Sequence, residues 1–319
     1  MAATFNLQRN EIIDAALLKI GALDPEGGSV SATQYTNHAK TLNTMLKAWQ
    51  GFGIPMWAKK TGVLFLQIDQ IEYDLGATST DHFTNTYAST ALAVAGASSA
   101  STITVDSASG ISNGNYIGIE LDTGSLHWTT VNGAPSGTVV TLTTALPSAA
   151  AIDNVVYSYT TKANRPLKIY DQSYIRYMSG GNDRIVNMIT SEEYARFGLK
   201  TTPGSPVNAY YDPQLTLGVL WIYPEPNDVS QVLYLTYQRP FEDFSISTDT
   251  PDVPQEWLEA MVYGLAVRLA PEYGLEKNER KFLIQEAAMA LSLALSFDQE
   301  EGSIFFQPSN KVTYGSNEY

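Results

Sequence analysis

Apolar positions keep a helical rhythm at both ends of this chain and a two-residue rhythm between them. Near the C-terminus, Leu258, Met261, Val262, Leu265 and Leu269 recur three and four apart, which gathers them on one face of an α-helix. Pro254 suits the first turn, where its missing N–H is not needed, so a helix is predicted over about 254–270. Pro271 and Gly274 break the pattern. A second rhythm then runs from Leu275 through Phe282, Ile284, Met289, Leu291, Leu293, Leu295 and Phe297, giving a helical hairpin. The small residues Ala260, Gly264 and Ala266 admit a close neighbour, read as an intramolecular core rather than a subunit contact. At the other end, Ile12, Ile13, Ala16, Leu17 and Ile20 predict a helix over about 8–20 closed by Gly21. Tyr35, Ala39, Leu42, Met45, Leu46 and Trp49 predict another over about 31–50. These two read as an antiparallel pair whose apolar faces are covered by the C-terminal hairpin.

From Val63 the period changes to two. Leu64, Leu66 and Ile68 alternate, the phase slips, and Ile71 and Tyr73 continue, which reads as a hairpin turning near Asp69. After Gly76 the chain turns to Ala, Ser, Thr and Gly, and 88–102 is nearly low-complexity, the mark of a boundary or linker. Five short β-type runs follow, around Ile103 and over 116–121, 126–131, 139–143 and 155–159, separated by turn formers such as Asn113-Gly114 and Asn132-Gly133. Beyond Lys162, strands are predicted over 167–170, 184–188, 207–211, 217–223 and 232–237, with a short helix at 191–197 and a turn at Tyr223-Pro224-Glu225-Pro226-Asn227. The fold class is therefore α+β. A discontinuous helical-bundle domain comes from both chain ends (1–60 and 251–298), a β-sheet domain lies between them (61–76 and 162–250), a small all-β insert occupies 77–161, and an extended C-terminal arm covers 299–319. The insert, bounded by flexible composition, is expected to be peripheral and dispensable for the helical core.

Composition narrows the function. With 44% hydrophobic residues the chain can bury a real core, and it contains no run long enough to span a membrane. Residues 1–10 have neither the basic end nor the apolar core of a signal peptide. No cysteine is present, which removes disulfides and thiolate metal sites. Nineteen Lys and Arg against 33 Asp and Glu give −14, unlike a protein that grips DNA by neutralising phosphates. The span 61–161 holds no Lys or Arg at all but does hold Asp69, Glu72, Asp74, Asp81, Asp106, Glu120, Asp122 and Asp153. Nineteen tyrosines suit surfaces that are partly wet and partly covered, whether interfaces or half-buried strands.

Catalytic chemistry has little support. His38, His82 and His127 show no metal-ligand spacing, and neither a GxSxG elbow nor a GxxxxGK[ST] loop occurs. Ser179-Gly180-Gly181-Asn182-Asp183 lacks the lysine and helix of a phosphate loop and reads as a plain loop. Glu192 with Glu193, or Glu256 with Glu259, could pair as glycosidase acids, but carboxylates at helix starts are expected for the helix dipole alone. No cofactor is expected and the chain reads as a non-enzyme.

Ile13-Asp14-Ala15-Ala16-Leu17-Leu18-Lys19-Ile20-Gly21 resembles the head-to-tail adaptors of short-tailed bacteriophages, also called head-completion or packaged-DNA stabilisation proteins. So do Leu42 to Trp49 with Gly53-Ile54, Pro254-Gln255-Glu256-Trp257, Gly264-Leu265-Ala266 and Leu269-Ala270-Pro271-Glu272-Tyr273-Gly274, in that order. The shortest members are nearly all helix, so the β region from Val63 to Phe244 is a departure from them. The resemblance implies a structural virion protein of the phage neck, assembled in the host cytoplasm into a homo-oligomeric ring, commonly of twelve copies. Such a ring binds the portal protein on one face and the tail nozzle or hub, with fibre proteins, on the other, while duplex DNA passes through without specific binding. It also implies a C-terminal extension that docks on the portal. By position this is the arm, whose apolar residues Ile304, Phe305, Phe306, Val312, Tyr314 and Tyr319 are the expected portal-binding residues. The alternative is a tail-associated cell-wall-degrading or glycan-binding protein, favoured by an aromatic, carboxylate-lined groove in the insert.

Overall fold

A computed structural model describes residues 6–26, 28–51, 56–178, 180 and 182–297. Two helices come first, α1 (Arg9–Lys19) and α2 (Ala32–Trp49). Twelve strands follow: β1 (Lys59–Phe65), β2 (Glu72–Leu75), β3 (Phe83–Thr84), β4 (Ala88–Val94), β5 (Thr102–Val105), β6 (Tyr116–Glu120), β7 (Leu126–Thr130), β8 (Val139–Thr141), β9 (Val155–Tyr159), β10 (Lys168–Ile169), β11 (Ser173–Tyr177) and β12 (Arg184–Met188). A short helix α3 (Ser191–Ala195) precedes β13 (Asn208–Asp212), β14 (Gly218–Tyr223) and β15 (Gln231–Gln238), and the helices α4 (Leu258–Leu269) and α5 (Lys277–Phe297) come last. The protein is α+β with mostly sheet. It divides into two compact units, one taking in residues up to Thr41 and from Val253 onward, the other Leu42–Asp252.

In the first unit α4 is the central helix and packs against both α1 and α5. Ile12, Ile13, Ala16 and Leu17 of α1 are buried, as are Met261, Leu265, Ala266 and Leu269 of α4. The small positions Ala260, Gly264 and Ala266 are buried as well. Helix α1 and helix α2 are joined by a hydrogen bond from the Tyr35 hydroxyl to Asp14 (2.7 Å) rather than by a long shared face. Burial and the Asp14 carboxylate together push the Tyr35 hydroxyl up to about 12. Gly21, at φ 67°, ends the α1 region in the left-handed conformation that glycine adopts without strain.

The second unit holds two sheets. The larger has nine strands in the order β2-β14-β13-β12-β11-β15-β1-β3, with β10 beside β15. All its pairings are antiparallel except β12 with β13. Its core is built from Leu64, Leu66, Tyr73, Leu75, Phe83, Ile175, Leu220, Leu233 and Tyr237, among others. The smaller sheet runs β7-β6-β9-β4-β5-β8. Its two ends meet: Asn132 N–H donates to Thr141 C=O, and Thr143 N–H to Thr130 C=O, each at 2.9 Å. Closing the order in this way leaves no free edge, and the interior is filled by Leu92, Ile103, Val105, Ile117, Ile119, Val140 and Val156.

The sheets differ from the sequence expectation at two places. Residues 63–73 do not form a hairpin. β1 pairs with β15 and β3, whereas β2 pairs with β14 at the far end of the same sheet. The phase slip near Asp69 (φ 59°) is a redirection, fixed by the Tyr73 hydroxyl, which accepts from Gln67 N–H (2.9 Å) and donates to Gln67 C=O (3.2 Å). Nor is 88–102 a linker. Its first half is β4, an inner strand held between β9 and β5. Only Leu92 of that strand is fully buried, so its own composition carries little strand signal and its neighbours impose the conformation.

The two sheets of this unit share an aromatic joint. Phe65 of β1 lies against Tyr157 (4.8 Å between centroids), Trp128 (5.1 Å), Tyr87 (5.4 Å) and Tyr159 (5.8 Å). Val63 and Val232 join them from the larger sheet, Val229 from the turn before β15, and Leu126 and Val155 from the smaller sheet. The Gln67 amide completes the seam. It donates to Leu126 C=O and accepts from Leu126 N–H, both at 2.8 Å, in place of a backbone partner.

Candidate interaction surfaces

Several of the groups considered for chemistry are held in structural bonds. His38 bonds the Tyr273 hydroxyl at 2.9 Å, and His82 stacks on Trp128 at 3.7 Å with its Nδ1 2.6 Å from the Tyr159 hydroxyl. Among the described residues no three His, Asp or Glu side chains gather as a metal-binding group. Glu193 caps α3, taking the Thr190 N–H at 2.8 Å, and these bonds hold its carboxyl below the usual range. Glu192 pairs with Arg196 at 2.6 Å one turn away. Asp183, in the glycine-rich loop, forms a two-bond pair with Arg176 (2.8 and 2.6 Å). The Arg176 guanidinium also covers the stacked rings of Tyr174 and Tyr234, 5.3 and 5.1 Å from their centroids.

In the smaller sheet, the rings a glycan groove would need are spent elsewhere. Tyr157 and Tyr159 are fully buried in the joint and Trp128 packs with them. A cavity of about 350 Å³ beside β4 carries the carboxylates of Glu120 and Asp153, but its other walls are Ser89, Thr90, Ala91, Val155, Met178 and Ser230, with no ring among them. Glu120 there already accepts from Val155 N–H at 3.1 Å. Such a site can hold water and small polar groups but offers no stacking platform for a sugar.

What the structure does expose is apolar and aromatic surface suited to protein partners. Tyr210 and Trp221 face each other across β13 and β14 and stack at 5.3 Å. Phe197, just beyond α3, stacks on Tyr223 at 4.0 Å, and Tyr194 touches both Phe197 and Tyr210. Lys200 sits over the Tyr194 ring, and Leu199 beside it is 65% exposed. Half-buried Tyr and Trp next to cations is the composition of contact surfaces between proteins. Sequence reasoning did not single out this patch, although Trp221 and Tyr223, two apart on one strand, share a face. In the helical unit, α5 presents Phe282, Ile284, Met289 and Leu293 to solvent. The proposed arm residues Ile304, Phe305, Phe306, Val312, Tyr314 and Tyr319 lie outside the described residues. Among the described residues no helix is long and apolar enough to cross a membrane.

A family model described as SU10 adaptor protein matches residues 126–304. No curated protein matches the chain. The matched span runs from β7 through β15, α4 and α5, so nine of the fifteen strands lie within it although the shortest adaptors are nearly all helix. It includes the C-terminal stretches 254–257 and 264–274 that carry the resemblance and leaves the N-terminal ones outside. Because the match takes in more than half of the sequence, this chain belongs to the SU10 adaptor family, structural proteins of the bacteriophage head–tail junction.

Proposed function

We propose that this chain assembles as a homo-oligomeric ring, of twelve copies by the family resemblance, that joins the portal to the tail in the virion neck and helps retain packaged DNA. The observation that carries the reading is the adaptor-family match, which includes the two helices α4 and α5. In this reading the helices of both chain ends act as one adaptor bundle, 1–60 with 251–298. The domain at 61–76 and 162–250 carries the insert at 77–161, the ring's further partners are tail nozzle or hub and fibre proteins, and assembly takes place in the host cytoplasm. The charge distribution supports a channel role. A stretch of 101 residues without Lys or Arg, in a chain of net charge −14, repels duplex DNA instead of releasing its counterions, and so leaves it free to slide.

The arm 299–319 supplies the portal contact in this proposal. Ile304, Phe305, Phe306, Val312, Tyr314 and Tyr319 are apolar beads among Gly302, Pro308 and Gly315, a pattern suited to an extended segment laid on a partner. Repetition around a ring multiplies a weak contact into firm attachment. Removing 303–319 is expected to leave a folded protein with unchanged circular dichroism that no longer co-sediments with portal rings of the same phage. Co-sedimentation at wild-type strength refutes the role given to the arm.

A further inference from the structure

Helix α5 is apolar around far more of its circumference than its contacts use. Leu283, Ala290 and Ala294 are its buried positions, and they fall on the side that packs against α4. Residues of an α-helix are set about 100° apart, so Phe282, Met289 and Leu293 lie together on one flank of that buried line. Ile284, Leu291 and Leu295 lie together on the other. Phe282, Met289 and Leu293 are 69, 62 and 67% exposed, and Ile284 is 45% exposed. One packed neighbour needs a stripe of roughly 100°, whereas α5 is apolar over about 240°. A helix of that kind is built to be covered on more than one side.

The charges on the two flanks are opposite. Glu279 and Glu286 fall with Phe282, Met289 and Leu293; Lys277, Arg280 and Lys281 fall with Ile284, Leu291 and Leu295. All five charged residues are exposed, and none takes part in an ion pair among the described residues. Three cations within five residues are a marked concentration in a chain with 19 cations in all. On the acidic flank, Leu275, Glu279, Phe282 and Glu286 line a groove of about 530 Å³ with Tyr263 and Lys19, the one cation among these residues, whose Nζ donates to the Tyr263 hydroxyl at 3.2 Å.

We infer that these two flanks are the two halves of one contact between copies of this chain, the acidic flank of one copy receiving the basic flank of the next. Each flank finds in the other what it lacks, apolar surface to cover its own and charge of opposite sign. Because the two halves are different surfaces, the contact is head-to-tail and propagates, and it closes into a ring when the rotation per copy divides a full turn. The inference rests on the ring reading above and assigns it residues.

Two variants test it in the full chain by sedimentation velocity at low salt. One carries Glu279→Lys and Glu286→Lys and so has two basic flanks; the other carries Lys277→Glu, Arg280→Glu and Lys281→Glu and has two acidic ones. Wild type is expected to sediment as oligomers that grow with concentration, and each variant alone as a monomer with wild-type circular dichroism. An equimolar mixture of the two is expected to recover assembly, because the copies can alternate. Wild-type assembly by either variant alone, a mixture that stays monomeric, or a wild-type chain that is monomeric at every concentration overturns the inference. Portal co-sedimentation separates this from the adaptor reading: unaltered portal binding with any of those outcomes removes the α5 contact and leaves the adaptor role standing.

Discussion

Replacing Phe65 by alanine is expected to cost about 3–5 kcal/mol, the range for removing a buried phenylalanine whose surroundings cannot collapse. Phe65 is 2% exposed and its ring meets four others, Tyr87, Trp128, Tyr157 and Tyr159, three of them from the smaller sheet. Those rings are fixed by other bonds. The Tyr157 hydroxyl donates to Val229 C=O at 3.0 Å, and the Tyr87 and Tyr234 hydroxyls are 2.7 Å apart, so the cavity stays open after truncation. Urea denaturation of the Phe65→Ala protein should show a lower midpoint at an unchanged slope. A midpoint within error of wild type would mean that the two sheets do not rely on the joint. The same geometry alters what deleting 77–161 should do. Removal would leave Val63, Phe65 and Val232 facing water and take away both bonds of the Gln67 amide, so a bridged deletion is now expected to lose solubility.

Acidification is expected to destabilise the protein through His82. Its ring is stacked on Trp128, edge-on to Tyr116 and bonded to Tyr159, and burial, with Lys162 nearby, pushes its pKa down to about 3. The unfolded chain takes up that proton near 6.5. Between those two values the unfolded state binds more protons than the folded one, so stability is full above about pH 6.5 and falls as pH falls toward 3. By pH 5 the loss is about 1–2 kcal/mol, allowing for partial contact of the ring with solvent. His82→Phe keeps an aromatic ring in the stack and cannot be protonated. Its stability should change with pH between 7 and 5 less steeply than that of wild type, in a urea series at each pH. Equal slopes for the two proteins would rule out His82 as the source.

How much could be read in advance depended on how local the determinants are. Helices were legible to within a residue or two at most ends, because three-and-four spacing and terminal residues such as Gly21 and Gly274 act within one or two turns. Strands rich in β-branched and aromatic residues, such as β6, β7, β9 and β15, were legible for the same reason. Pairing was not. Nothing between Val63 and Tyr73 announces that β1 and β2 go to opposite sides of one sheet, since that depends on β14 and β15, about 140 to 180 residues away. β4 was hidden because an Ala, Ser and Thr strand takes its conformation from β5 and β9. The joint was hidden because its rings come from residues as far apart as Phe65 and Tyr234 and meet only in the folded sheets. Of the candidate surfaces, the two flanks of α5 were present in the helical pattern of 275–297, but which side α4 would leave uncovered was decided by packing.

A ring of this chain between portal and tail would be visible in an electron-microscopic reconstruction of the virion neck. The expected result is a ring directly beneath the portal into which the α4–α5 pair and the nine-stranded sheet each fit as a separate body, with the α5 flanks of adjacent copies in contact. Density for this chain at the distal tail, with none beneath the portal, would contradict it.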